Sequence, residues 1–130
     1  MEARAAIWAL VLDCTDLARA AAFWTAALGY ETVGAPHGPY QVLLAGERNG
    51  VELLLQRVPD AKVAKNRLHL DLRTKDLAGE VERIRGLGAT QMTLEPIVEG
   101  GWSWHVLADP DGNELCILEP PARYWQGAIG

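Results

Sequence analysis

The residues of this chain best suited to chemistry are His69, Asp71, Glu114 and Cys116. His69 and Asp71 stand two apart in Leu68-His69-Leu70-Asp71-Leu72, so an extended strand puts both on one face. An imidazole there titrates near neutrality and serves as a hydrogen bonder to a ligand or as a general base. The plainer reading is a buried histidine held by Asp71 or Asn66. Glu114 and Cys116 share a face in Glu114-Leu115-Cys116-Ile117. Glu114 and the matching Glu52 offer carboxylates for acid–base work or for holding a cationic group, although both lie near turns where water would solvate them. Cys116 is a nucleophile only if a base such as His69 comes close, and buried cysteines are commonly small core fillers. Cys14 falls in a core register.

The aromatics are uneven, with five tryptophans against one phenylalanine. Trp102 and Trp104 follow Gly100-Gly101 and share one face of a strand. Turned outward, that face makes a flat wall for a planar ligand; turned toward a helix, it is core. The expectation taken here is the outward face. Tyr124 and Trp125, near the end, either cap that face, cover a dimer seam or stay loose. His37, in the Gly34 to Gly38 stretch, is expected to be solvated.

These side chains are positioned by a repeat. Trp8-Ala9-Leu10-Val11-Leu12-Asp13 aligns with Leu68-His69-Leu70-Asp71-Leu72-Arg73, and Glu52-Leu53-Leu54-Leu55 aligns with Glu114-Leu115-Cys116-Ile117. Each copy opens on an apolar run that reads as a strand, followed by an aspartate cap, Asp16 or Asp76. A helix comes next, with Leu17, Ala21, Trp24 and Leu28 on one face in the first copy and Leu77, Val81, Ile84 and Leu87 in the second. Glycine, Gly29 or Gly88, ends it. Three extended runs follow: Tyr30 to Gly34, Pro39 to Ala45 and Val51 to Val58, then Thr90 to Pro96, Trp102 to Ala108 and Glu114 to Glu119. Gly46 to Gly50 and Asp109 to Asn113 read as matching turns. The predicted architecture is α+β: one domain over 1–130, two tandem βαβββ modules at about 5–58 and 67–119 forming a curved sheet cup, and a tail at 120–130. By alternation Trp8, Leu10, Leu12 and Cys14 pack on the first helix, and Leu68, Leu70 and Leu72 on the second. Ala9, Val11, Asp13, His69 and Asp71 are left on the open face.

Composition bounds the function. An apolar fraction of 49% and a charged fraction of 22% are those of a globular protein. The net charge of −5, with no basic run, argues against nucleic acid as a partner. No apolar run is long enough for a membrane helix, no signal-peptide pattern opens the chain, and two cysteines without metal-type spacing suggest reduced thiols, so a cytoplasmic location is expected.

Asp16-Leu17-Ala18-Arg19-Ala20, Phe23-Trp24 and Leu28-Gly29-Tyr30 carry a resemblance, as do Lys65-Asn66-Arg67-Leu68-His69-Leu70-Asp71-Leu72 and Asp109-Pro110-Asp111-Gly112-Asn113-Glu114. In these the chain resembles the vicinal oxygen chelate superfamily of glyoxalase I, extradiol dioxygenases and the fosfomycin- and bleomycin-resistance proteins, and within it the glyoxalase-like group. The superfamily's metal enzymes place ligands on the first and last strands of each module, which the resemblance carries onto Ala9, Leu54, His69 and Cys116. Ala9 and Leu54 ligate nothing, and His69 is the one ordinary ligand at those positions. No metal or other cofactor is therefore expected, although Asp71, Glu52 and Glu114 leave a displaced divalent-metal site open. The resemblance implies a homodimer that binds a small molecule. The reading preferred is a metal-free binding protein that sequesters a hydrophobic or planar compound, with His69, Asp71, Trp102, Trp104, Glu114 and Cys116 as the binding set. The alternative is a lyase, isomerase or dioxygenase, metal-dependent or using His69 and Glu114 as acid and base. A dimerising scaffold without ligand is the third.

Overall fold

The computed structural model describes residues 4–46 and 50–127. The chain divides into two compact units, Met1–Ala61 and Lys62–Gly130. Among the described residues no helix is long and apolar enough to cross a membrane.

The first unit runs β1 (Ala9–Cys14), α1 (Leu17–Leu28), β2 (Tyr30–Thr32), β3 (Tyr40–Ala45) and β4 (Glu52–Arg57). Its sheet order is β1-β4-β3-β2, with β1 parallel to β4 and the other pairs antiparallel. Asp16 starts α1 by accepting the Arg19 N–H at 3.0 Å. Gly29 ends it at φ 71°, a left-handed conformation that glycine adopts without steric cost. The helix buries Ala20, Phe23, Trp24 and Ala27 and packs mainly on β2, β3 and β4, beside the fully buried Leu43 and Leu55.

The second unit repeats this plan with β5 (Leu70–Arg73), α2 (Leu77–Gly86), β6 (Thr90–Gln91), β8 (Trp102–Ala108) and β9 (Glu114–Glu119) in the order β5-β9-β8-β6. Asp76 caps α2 through the Gly79 N–H, as Asp16 caps α1. Leu77, Val81 and Ile84 go under the sheet with Leu107, Leu115 and Ile117. The first unit is βαβββ, the second has the same order with one strand more, and the class is α+β as expected.

Several expectations change. The run Thr90 to Pro96 forms a strand only at Thr90 and Gln91, facing Ala108 and Leu107, and Met92 adds one bond from its N–H to the Val106 carbonyl at 2.8 Å. Thr93 then leaves the ladder and its hydroxyl meets His105 Nδ1 at 2.7 Å. An unexpected short strand, β7 (Ile97–Glu99), covers the Trp102–Trp104 end of β8. The tail forms a one-turn helix, α3 (Ala122–Trp125). Trp8 and Leu68 do not pack on helices: they are 83% and 75% exposed. The cause is positional. Pairing starts at Ala9 and Leu70, so both residues precede the sheets, and the helices rest mainly on the other three strands. Leu17 is half-buried, while Cys14 is core at 2% exposure. The first-copy turn at Gly46 to Gly50 lies partly outside the described residues.

Candidate functional site

On β8, His105 and Leu107 point to the buried helix side, so Trp102, Trp104 and Val106 take the opposite face. The registers Asp71↔Cys116↔Val106 and Arg73↔Leu118↔Trp104 lay two rows of side chains across β5, β9 and β8 on that open face. Lys65, His69, Asp71, Trp104, Val106, Glu114, Cys116 and Leu118 line a cavity of about 380 Å³ there, inside the second unit. It has a direction. His69, Asp71, Glu114 and Lys65 form a polar end, whereas Val106, Leu118 and Trp104 form an apolar wall.

The polar end is tightly connected. His69 Nδ1 lies 3.1 Å from Asp71 Oδ1. A carboxylate only accepts, so in this bond Nδ1 is the donor. Cys116 Sγ approaches the same Nδ1 at 3.9 Å. A nucleophilic relay needs the thiol and the carboxylate on opposite ring nitrogens; here they meet at one, so His69 cannot take the Cys116 proton through Nδ1. The electrostatics agree. Burial first, then the charge and hydrogen bond of Asp71, with Glu114 adding to them against Lys65, push the Cys116 thiol up to about 11. It is a protonated thiol at neutral pH. Glu114 holds its place because its backbone N–H donates to Asn66 Oδ1 at 2.8 Å, and its carboxylate takes the Lys65 ammonium.

Of the binding residues expected from sequence, His69, Asp71, Trp104, Glu114 and Cys116 come together, and Trp102 does not join them. Its ring packs edge-on to Tyr124 at 5.4 Å, with the Arg73 guanidinium 5.2 Å from its centroid. Trp125 sits 4.9 Å from Tyr124 with Lys75 over its face and remains 40% exposed. Lys65, Val106 and Leu118 were missed. Val106 and Leu118 follow from the same two-residue alternation as Trp104 and Cys116, but nothing local marks Lys65. Glu52 lines a separate cavity in the first unit with Trp8, Leu44, Ala45 and Gly50. His37 is exposed, in a turn closed by its bridge to Tyr40.

Ala9 and Leu54 have no donor atoms, so the ligand set that the resemblance implies is incomplete. Instead one atom each of His69, Asp71 and Cys116 lie within 4.8 Å of one another, a nitrogen, oxygen and sulfur set that suits zinc better than a hard ion.

A family model for the glyoxalase-like domain matches residues 9–118. The chain belongs to that family. No curated protein matches it. Among solved structures it is similar to the fosfomycin resistance protein FosX of Listeria monocytogenes, solved with Mn(II) and a dihydroxypropylphosphonic acid. That pair has a TM-score of 0.73 at 17% identity, over 92% of this chain and 94% of that one. A superfamily enzyme from Burkholderia phytofirmans gives 0.71 at 16%, over 88% and 98%. The hypothetical protein SA1046 of S. aureus gives 0.68 at 20%, over 91% and 99%. At these identities the likeness is one of fold.

Proposed function

We propose that this is a cytoplasmic small-molecule binding protein that sequesters a planar, partly hydrophobic compound in the cavity of the second unit without a metal. The observation carrying this reading is the layout of that cavity, with an indole and two aliphatic side chains opposite a cluster of polar groups. Large apolar contact with a few fixed polar partners is the usual composition of a small-molecule site. The absence of side-chain donors at Ala9 and Leu54 supports the metal-free form, and two cysteines without metal-type spacing support a reducing compartment. The chain is read as a homodimer.

Trp104→Ala tests the assignment. With the indole as an anchor, a planar ligand loses roughly 1–3 kcal/mol of affinity and the denaturant midpoint stays near that of the parent. A large fall in the midpoint with unaltered affinity would mean that the indole serves the core instead. The second reading, a metal-dependent enzyme of the same superfamily, is favoured by the His69, Asp71 and Cys116 donors alone; a metal ion retained by the purified protein would promote it.

A further inference from the structure

Resting on the cavity reading above, we infer that the compound is an organic cation, and that it binds by displacing Lys65 from Glu114. Two carboxylates, Asp71 and Glu114, line the polar end against a single cation, Lys65. Lys65 is the chain's own stand-in for the ligand. Its ammonium already sits on Glu114, while its side chain is 73% exposed and that of Glu114 only 15%. An ion pair reaching in from solvent is weakly held, so an ammonium or amidinium carried by a ligand can replace it. Asp71, whose carboxylate already accepts from His69, still offers acceptor positions to the same cation. From that end β9 leads through Cys116 to Leu118, and β8 through Val106 to Trp104, so a ring attached to the cationic group lies along the apolar wall. The indole adds a face that attracts positive charge. Burial first, and then the charge of Asp71, pushes the Cys116 thiol up, and the Asp71 contribution alone has the sign expected of a cavity that favours cations.

Three tricyclic probes of similar shape and different charge test this: proflavine, a cation at neutral pH; acridone, neutral; and anthracene-9-carboxylate, an anion. Binding to the full chain is followed by each probe's fluorescence anisotropy. Proflavine binds about tenfold or more tighter than acridone, and the carboxylate binds weakest. Asp71→Asn and Glu114→Gln each weaken proflavine several-fold and leave acridone unchanged. Lys65→Gln strengthens proflavine, because it removes a competitor; an anion-binding cavity would respond in the opposite sense. Acridone or the carboxylate binding as tightly as proflavine, or Lys65→Gln weakening proflavine, overturns the cation assignment while a Trp104-dependent cavity stands. Binding of none of the three, or binding indifferent to Trp104→Ala, overturns the cavity reading and this inference with it. Circular dichroism of each variant separates lost binding from lost fold.

Discussion

Cys116 combines near-complete burial with an acidic neighbourhood, and the two act in the same direction on its proton. A thiol held up to about 11 has little thiolate at neutral pH, and alkylation proceeds through the thiolate. In the native protein, iodoacetamide labelling of the Cys116 peptide should be slow at pH 7 and climb without a plateau through pH 9, the ordinary thiol value. Asp71→Asn removes the largest charge contribution and should shift that profile to lower pH. The same raised value works against stability in alkali. An unfolded chain sheds this proton earlier than the native one, so stability present below pH 9 declines as pH rises toward about 11. His69 with Asp71, and Glu114 with Cys116, could be paired on a face from sequence, because alternation along a strand needs no knowledge of its partners; which face Trp104 takes is fixed only by the register of β8 with β9. Separating Trp104 from Trp102 could not be done that way. What removes Trp102 from the cavity is Tyr124 and Arg73, which reach it from other elements.

At the level of elements, the start of α2 is held twice. Asp76 caps it locally, and Glu119 on β9 accepts the Leu77 N–H at 2.8 Å, fastening the helix to the sheet it covers. Asp76→Ala should lower stability by about 0.5–2 kcal/mol in a denaturant titration, the usual effect of losing an N-cap. Ligand affinity should hold, since the helix packs on the far side of the sheet from the cavity. Both helices and both caps were legible because aspartate, apolar spacing and glycine are local signals. Strand ends were not. The apolar pattern continues through Trp8 and Leu68, but pairing begins one and two residues later, and a strand stops where its partner stops. The short β7 was equally hidden, since three exposed residues paired to one end of β8 leave no alternation to read.

At the level of the whole molecule, large apolar side chains remain uncovered in the second unit, including Leu94 at 92%, Val98 at 67% and Trp125 at 40% exposure. Surfaces of this kind suit pairing with another copy. Native mass spectrometry of protein purified without chelator should give twice the 14.2 kDa chain mass and no bound metal ion; a monomer at micromolar concentration would contradict the dimer. The twin strand orders, β1-β4-β3-β2 and β5-β9-β8-β6, carry one more consequence. Where the second unit has Asp71 beside Cys116, the first has Val11 beside Leu54, and Ala9 stands where the repeat would put His69. The molecule therefore contains its own blank: the same strand order with the imidazole, the Asp71 carboxylate and the Cys116 thiol erased, and only Glu52 kept in the place of Glu114. A reagent that marks only the later copy is responding to side-chain chemistry, and one that marks both is responding to the shape of the sheet.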